Sequence, residues 1–444
     1  MLTGIPLLLL IFLSIAFIIV ASSVGKAHPF VVLLLATFGV GLGVGMPFPE
    51  ILSAINSGFG GLMGYIGLIV AIGSIIGVIL EKSGAALRIA DLILNVVGKN
   101  RPALAMSLIG ATVSIPVFCD SGFIILSGLN NALAKKTGAK KATLSLALAS
   151  GLYATHTLVP PTPGPIAAAG NLGASDYLGI VMLVGLLTAV PVALVGYFFA
   201  LRKGKTIETA EHEIELEQAA KLPAVVQSLA PIVVPILLIA AGSTASLMKW
   251  EGAWVKWLLF FGNPLTALLI GMLLAFTLFK KWDQAHLSGW VGEGIVLAGP
   301  ILIITGAGGA FGGVLKATPI AGLVESWVSG GQFPGGFFLI ITFLIAALLK
   351  TSQGSSTNAL VITSSMLAPL VGTMGFETPF ELALVVMAIG GGAMTVSHAN
   401  DSYFWVVSQF SGIEMKDAYR SYTPLTGLQG LTALGVTLLL YVLA

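Results

Sequence analysis

Four short stretches of the sequence combine proline or glycine with small polar residues, and each one interrupts an apolar run. They lie at 116–122, 160–165, 353–358 and 397–402. Each is followed by a short apolar segment, and the residues before that segment are types that favour helix N-termini. Because N-termini attract anions, four of them together would bind a carboxylate, and the Ser, Thr and Asn side chains would recognise its hydroxyl groups. The alternative for any single stretch is that its polar side chains only cap a helix.

Five ionisable residues accompany these stretches: Asp120, His156, Lys350, His398 and Asp401. Lys350 is a candidate counter-charge for a substrate carboxylate, although it could also extend its amine to the membrane surface. Histidine has an unperturbed pKa of about 6.5, so His156 or His398 could carry a coupled proton, or each could only satisfy hydrogen bonds. For Asp120 and Asp401, burial favours the protonated form and a helix N-terminus favours the ionised form. The sequence leaves both forms open.

The composition places these residues in a membrane protein. Of the 444 residues, 56% are apolar and 9% are charged, and the formal net charge is +2. Soluble domains carry roughly 25% charged residues, so this chain cannot cover a water-exposed surface of its size. A soluble enzyme, a nucleic-acid binder and a disordered protein are therefore excluded. The single cysteine, Cys119, excludes a disulfide framework within the chain.

Apolar runs along the chain leave room for ten to twelve spanning helices of about 20 residues each. The segment Leu7–Val20 has no basic residue before it. We therefore interpret it as a retained first span and not as a cleaved signal peptide. The runs lie at about 2–20, 29–46, 59–81, 102–134, 142–173, 177–201, 223–247, 263–280, 291–315, 334–371, 379–410 and 421–444.

The polar stretch 202–221 divides the chain into two halves that resemble each other. At one constant spacing, 114–123 falls on 349–358, and with a small insertion 155–165 falls on 396–404. Repeated segments in this order predict an internal repeat. The same spacing relates the three residues Gly73, Gly77 and Leu80 to Gly308, Gly312 and Leu315.

Basic residues indicate that the two halves are inverted. Segment 82–101 carries four Lys or Arg residues and its counterpart 317–336 carries none. Segment 135–141 carries four lysines, and the matching residues of the second half carry none. Because cytoplasmic loops are enriched in Lys and Arg, matching segments should lie on opposite sides of the membrane. Two basic clusters on one side also make the run between them, 102–134, a re-entrant hairpin.

The sequence therefore predicts an all-α polytopic membrane protein of two inverted-topology repeats, each with a re-entrant helical hairpin and a broken transmembrane helix. That architecture is typical of secondary transporters. Both termini are predicted outside. The predicted parts are a first repeat at 1–202 with its hairpin at about 102–134 and broken helix at about 142–173, a charged cytoplasmic linker at 203–222, and a second repeat at 223–444 with its hairpin at about 336–371 and broken helix at about 379–410.

Four motifs resemble the signatures of the gluconate:proton symporter family, the gluconate permeases. They are THTLVPPTPGPIAAAGNLGA, TGAGGAFGGVLK, SQGSSTNALV and SHANDSYFWVVSQF, and with them the resemblance covers nearly the whole chain. The family also includes permeases for D-serine and other sugar acids. The resemblance implies the ion-transporter superfamily architecture, with inverted repeats, two re-entrant hairpins, usually a homodimer, and an elevator-like movement of a transport domain.

The resemblance, together with the polar stretches, defines a set of candidate site residues. This chain has Lys350-Thr351-Ser352 where the family pattern has an arginine, any residue and alanine, and it has Asn358 in place of an apolar residue. Lysine offers a point charge and not a planar fork, so the substrate can differ from gluconate. The predicted substrate-binding residues are Asp120, Ser121, Gly122, Thr162, Pro163, Gly164, Lys350, Gln353, Gly354, Ser355, Ser356, Thr357, Asn400 and Ser402, and the predicted proton-coupling residues are Asp401, His398 and His156.

The predicted function is import of gluconate or a related small hydroxylated carboxylate with protons, by alternating access around a midplane site between the hairpin tips. The alternative is a sodium-coupled carboxylate or D-serine-like amino-acid transporter. An intramembrane enzyme is disfavoured because the sequence has no HExxH and no DDxxD motif; a passive channel would lack coupling. We expect a multi-pass inner-membrane protein that forms homodimers in the lipid bilayer, with no cofactor, no metal and no nucleic-acid partner.

Overall fold

The computed structural model describes residues 2–23, 25, 27–98, 100–210, 222–320, 335–399 and 401–444. Within these residues the chain forms eighteen α-helices, three short helical turns and no β-strand. The turns are Ser175–Tyr177, Gly204–Thr206 and Ala285–Trp290. The helices are α1 Gly4–Ser23, α2 Pro29–Gly43, α3 Phe48–Lys82, α4 Ala85–Val97, α5 Pro102–Val113, α6 Cys119–Thr137, α7 Lys141–Leu158, α8 Pro163–Asn171, α9 Leu178–Lys203, α10 Val225–Leu247, α11 Ala253–Gly262, α12 Pro264–Phe276, α13 Val291–Lys316, α14 Gly335–Gln353, α15 Ser356–Val371, α16 Pro379–Met394, α17 Ser402–Ser411 and α18 Met415–Leu443.

The lengths and apolar composition of these helices are those of a multi-pass membrane protein. Five helical segments of the described chain are long and apolar enough to cross a membrane. The number is seven if each of two bent helix pairs counts as one span. This number is lower than the ten to twelve predicted. The reason is that several apolar runs are divided into helices of 10–17 residues, such as Pro102–Val113 and Pro379–Met394, and a segment this short falls below the length needed to span on its own.

The chain leaves helical structure at all four polar stretches. The gaps between helices are 114–118, 159–162, 354–355 and 395–401. Proline lacks the N–H that a helix interior needs, so Pro160 and its neighbours end α7 and begin α8. The sequence signal for a break is local in each case, and the structure has a break at each place.

One end of the helix bundle is rich in basic residues, and we call it the basic end. Arg101, Lys140 and Lys205 line one cavity there. The chain just beyond Lys205 stays near the same end, because the N–H of Ala210 donates to the carbonyl of Gly412 at 2.8 Å. The start of α5, the turn between α6 and α7, the end of α9 and the approach to α18 therefore lie together.

The opposite end of the bundle, the aromatic end, is defined by three rings. Phe376, which follows α15, lies 5.4 Å from Phe338 near the start of α14 and 5.7 Å from Tyr441 near the end of α18. Helix α18 has 29 residues, so at a rise of 1.5 Å per residue it is about 43 Å long. Since it begins at the basic end, the start of α14 and the end of α15 lie at the far end.

Glycines allow the central helices α3 and α13 to approach closely. A Cβ on Gly309 would lie 2.6 Å from the carbonyl oxygen of Gly58, and one on Gly313 would lie 2.6 Å from that of Ala54. Small residues permit this backbone contact between membrane helices. The glycine-rich segment 306–313 is therefore a packing surface. It does not have the sequence of a phosphate-binding loop, because no lysine–serine pair follows the glycines.

Candidate functional site

A buried ion pair joins the third and fourth breaks of the chain. The Nζ of Lys350, in the last turn of α14, lies 2.6 Å from Oδ2 of Asp401. The two side chains are 0% and 5% exposed. The interpretation that Lys350 extends to the membrane surface is therefore wrong, because its amine ends on a carboxylate inside the protein.

Asp401 is held by two further hydrogen bonds. Its Oδ1 accepts from the N–H of Tyr403 at 3.1 Å, so it caps the N-terminus of α17. The hydroxyl of Ser397 donates to Oδ2, the same oxygen that contacts Lys350. The helix N-terminus, the hydroxyl and the ammonium group all stabilise an ionised carboxylate. In this conformation the carboxylate of Asp401 is paired with the amine of Lys350.

The loop that carries Asp401 is anchored on α18. The N–H of Ser397 donates to Oγ1 of Thr426 at 2.9 Å, and Oγ1 of Thr423 donates to the carbonyl of Ser397 at 2.6 Å. Val396 has φ of +56°, a conformation that costs a β-branched residue roughly 1–3 kcal/mol and persists only where surrounding contacts impose it. The two threonines supply such contacts.

The two histidines have different surroundings. His398 Nε2 lies 2.8 Å from the carbonyl oxygen of Thr351, and this contact ties the fourth break to the end of α14. His156 is buried in α7, with its ring 6.0 Å from that of Phe118 and 6.5 Å from that of Tyr153. Its Nδ1 has no hydrogen-bond partner among the described residues. His398 therefore has the hydrogen-bonding contact of a structural residue, whereas His156 has an open nitrogen.

The first break meets the fourth through an aromatic cluster. Tyr403 of α17 lies 5.2 Å from Tyr153 of α7, 5.8 Å from Tyr422 of α18 and 6.2 Å from Phe123 of α6, measured between ring centroids. Asp120, at the start of α6, lies beside Ser402 and close to the carboxylate of Asp401. Two predicted site residues of different halves, Asp120 and Ser402, are thus in contact.

The second break meets the third by close backbone packing. A Cβ added to Gly164 at the start of α8 would lie 2.6 Å from Leu360 and 3.7 Å from Thr357 Cα, near the start of α15. The Tyr153 side chain also lies beside Ser356. The four breaks therefore form one connected set of contacts.

The other end of α8 is tied to α15 by one amide. Nδ2 of Asn171 lies 3.2 Å from the carbonyl oxygen of Val361, 2.7 Å from Oγ of Ser364 and 2.9 Å from Oγ of Ser365. We expect Asn171→Ala to lower the free energy of unfolding by about 1–3 kcal/mol, because these hydrogen bonds have no replacement. Chemical unfolding of the purified protein measures this change. Asn95→Ala, an exposed change on α4, is the matched control and should have no effect; equal stabilities of the two variants would contradict the assignment.

Several of the predicted substrate-binding residues contact other groups of the protein in this conformation. Ser121 lies beside Glu81 of α3. The hydroxyl of Thr162 donates to the carbonyl of Val159 at 2.6 Å, and that of Ser355 caps α15 by accepting from Asn358 N–H at 3.2 Å. Gly354 has φ of +70°, which its lack of a Cβ allows. Gln353 closes α14, Thr357 lies in the first turn of α15, and Pro163 begins α8.

Two further predicted substrate-binding residues are Asn400 and Gly122. Asn400 lies outside the described residues. Gly122 packs on α7, since a Cβ there would lie 2.8 Å from Leu152. Within the described part of the chain, no group of three or more His, Cys, Asp or Glu residues is arranged to hold a metal ion.

Sequence reasoning missed the tyrosines that connect the breaks. Tyr153 and Tyr403 are buried, and each also donates to a backbone carbonyl of another helix, that of Ala393 at 3.5 Å and that of Ala149 at 3.2 Å. The spacing of Tyr153 and His156, one helical turn apart beside the second break, is the signal that could have identified the first of them.

Apolar spans packed around four connected polar breaks define a membrane transport protein. A family model, the GntP family permease, matches residues 5–443. The chain belongs to the GntP permease family. The protein is therefore a permease and not an enzyme.

Several relatives and a solved structure resemble the chain over most of its length. The inner membrane permease YgbN of Escherichia coli K12 is 34% identical, over 93% of each chain. The gluconate permease of Pseudomonas aeruginosa is 30% identical, over 94% of this chain and 93% of that one, and the D-serine transporter DsdX of Escherichia coli K12 is 30% identical over 96% of each. The crystal structure of the Alcanivorax borkumensis YdaH transporter matches with a TM-score of 0.62 over 88% of this chain and 86% of that one, at 14% identity. That likeness concerns the fold alone.

Proposed function

We propose that the protein imports gluconate or a related small hydroxylated carboxylate together with protons, across the inner membrane of a bacterial cell. The observation that supports this most strongly is the buried pair of Lys350 and Asp401 at 2.6 Å. Removing two charges from water is costly, and such pairs within membrane proteins mark transport pathways. The gluconate permeases among the relatives support the substrate class.

The charge balance of this pair gives a physical reason for proton coupling. As it stands, one cation and one anion cancel. A substrate carboxylate that bonds Lys350 would leave the Asp401 carboxylate without its counter-ion in a buried site, which is strongly unfavourable. One proton taken up by Asp401 restores neutrality. The site then carries substrate and proton together, and loses them together when the pair of Lys350 and Asp401 re-forms.

The same charge balance distinguishes amino acids, the second candidate substrate class, from hydroxylated carboxylates. A zwitterionic amino acid could place its carboxylate on Lys350 and its ammonium group on Asp401, and no proton would be needed for neutrality. The D-serine transporters among the relatives are the reason to keep amino acids as a candidate substrate class. Sodium at Asp401 would satisfy the balance for a carboxylate as a proton does. Substrate class and coupling ion are therefore linked, and one assay can test both.

The assay is uptake of labelled gluconate into proteoliposomes under an imposed inward proton gradient without sodium. Unlabelled D-glycerate, D-serine, fructuronate and citrate serve as competitors, and empty liposomes are the control. We expect concentrative uptake that a protonophore abolishes. Uptake that needs sodium at constant pH would overturn proton coupling. In a parallel assay with labelled D-serine, uptake of D-serine and not of gluconate, independent of the proton gradient, would overturn the sugar-acid assignment.

We also propose that the chain folds as two inverted repeats with re-entrant hairpins and forms a homodimer, with 1–202 and 223–444 as the repeats. Helix α5 has 12 residues, about 18 Å, and is too short to cross a hydrocarbon layer of about 30 Å. Both ends of the α5–α6 hairpin lie at the basic end, whereas both ends of the α14–α15 hairpin lie at the aromatic end. These contacts support hairpins that enter from opposite sides.

The topology makes a labelling prediction. In a Cys119→Ala background, Glu377→Cys at the aromatic end should react with a membrane-impermeant maleimide in intact cells. Lys136→Cys at the basic end should react only after the membrane is permeabilised, because the positive-inside rule places that end in the cytoplasm. Both positions are exposed. Reaction of both residues in intact cells would contradict the inverted arrangement.

A further inference from the structure

A cavity at the basic end has the charge and shape of an anion site, and it is separate from the four breaks. Its volume is about 520 Å³. Three of its lining residues, Arg101, Lys140 and Lys205, are basic, and none is acidic. All three basic side chains are exposed. A single-sign cluster around a concave surface concentrates ligands of the opposite charge.

The backbone around the cavity also carries partial positive charge. Arg101 is the residue before α5 and Lys140 is the residue before α7, so two helix N-termini face the same space. Each N-terminus adds free N–H groups and a partial positive charge. These helices have 12 and 18 residues, and both dipoles point their positive ends toward the cavity.

A buried hydroxyl provides an independent indication of a ligand. Thr143, one of the lining residues, is 5% exposed, and its Oγ1 has no hydrogen-bond partner among the described residues. An unsatisfied buried hydroxyl costs free energy unless a partner is supplied. This oxygen is itself buried and packs beside Gly204, so it reaches an oxyanion in the cavity after the threonine side chain rotates about χ1.

The cavity also has an apolar wall toward the membrane. Leu144, Tyr197 and Leu201 line it, and the neighbouring Phe198 of α9 is 57% exposed. A ligand with a phosphate in the basic part and hydrocarbon along this wall would fit both surfaces. Basic pockets between membrane helices on the cytoplasmic side are sites of this kind.

We propose that this cavity binds the phosphate of an anionic ligand, supplied either by a phospholipid headgroup or by a soluble phosphate ester. The basic residues and the two helix N-termini bind the phosphate oxygens, and Thr143 donates its hydroxyl. This site binds no transported substrate, so it is independent of the transport function proposed above.

The test follows the unfolding midpoint of the purified full-length protein as ligands are added. The probes are short-chain phosphatidylglycerol, short-chain phosphatidylcholine, glycerol 1-phosphate and inorganic phosphate. The variant is Arg101→Gln with Lys140→Gln and Lys205→Gln. The matched control is Lys280→Gln with Lys281→Gln and Lys416→Gln, which removes the same charge from exposed positions outside the cavity.

For the wild type and the control we expect a midpoint that rises with phosphatidylglycerol and not with phosphatidylcholine. The cavity variant should bind on the order of a hundredfold more weakly, since each basic residue contributes about fivefold to contact with an anionic lipid. If glycerol 1-phosphate or inorganic phosphate gives the same shift and the cavity variant loses it, the ligand comes from solution and the site still stands. Equal shifts in the wild type and the cavity variant, or equal losses in both variants, would overturn the proposal. If the triple variant does not fold, Lys205→Gln alone should weaken binding about fivefold.

Discussion

Uptake by Asp401→Asn is expected to fall at least about a hundredfold. Asparagine keeps the size of the side chain, and its one carbonyl oxygen can still accept from the N–H of Tyr403. Its amide group takes the place of the oxygen that accepts from Ser397 and is a donor only. It cannot neutralise Lys350, which is 0% exposed. Removing one partner of a buried ion pair costs roughly 3–5 kcal/mol, because the remaining charge stays buried without a counter-ion. Lys350→Ala should have the same effect for the complementary reason.

Loss of uptake alone could reflect misfolding, and a double variant separates the two causes. Lys350→Met combined with Asp401→Asn removes both charges. Replacing a buried pair by uncharged groups is often neutral for stability, so the double variant should recover the unfolding midpoint of the wild type. Its uptake should remain absent, since neither the cation for the substrate nor the group for the proton is present. Recovery of uptake in the double variant would contradict the site.

The second large effect is expected at Gly77 of α3, where the helix passes the first break. A Cβ on Gly77 would lie 2.6 Å from the carbonyl oxygen of Pro116, and one on Gly73 would lie 3.3 Å from that of Pro161. Helix α3 therefore supports the backbone of two breaks at once. A side chain at Gly77 meets backbone and not a flexible side chain, so the break must move. Insertion of extra atoms into a packed region typically costs about 1–3 kcal/mol.

We expect Gly77→Leu to abolish uptake and Gly77→Ala to reduce it. Gly67→Leu is the matched control, because it lies on the same helix and a Cβ there meets nothing within 4 Å. That variant should transport at the rate of the wild type. Initial uptake rates, normalised to the amount of protein in the membrane, measure the difference. Similar rates for the two leucine variants would show that close packing at the first break is not required.

Much of the fold could be predicted from the sequence because its signals are local. The breaks fall where proline or glycine stands together with small polar residues, so their positions follow from the local sequence. Single prolines such as Pro191 and Pro300 lie inside helices and cause no break. The low share of charged residues similarly determines that the chain lies in a membrane. Fewer helices of the described residues are long enough to span alone than the number of apolar runs suggests, because an apolar run does not reveal where tertiary structure divides it.

The site could be predicted only in part, because its contacts join distant segments. The polar stretches gave Lys350 and Asp401 as candidates, but the two residues are 51 positions apart, one in α14 and the other in the fourth break. Only packing of α14 against the fourth break brings them to 2.6 Å. The same limit applies to the tyrosines, since an aromatic residue in an apolar helix resembles any other core residue. The polarity of Ser397 was visible, whereas its bond to Asp401 was not.

In the proposed transport cycle, the substrate carboxylate takes the place of Asp401 beside Lys350. The most direct measurement is an electron cryomicroscopy structure of the full protein in lipid nanodiscs, with and without the substrate that the uptake assay identifies. With substrate we expect its carboxylate within hydrogen-bond distance of Lys350 Nζ, and a separation between Nζ and Asp401 Oδ2 well above the present 2.6 Å. Substrate bound elsewhere with this ion pair intact would contradict the claim.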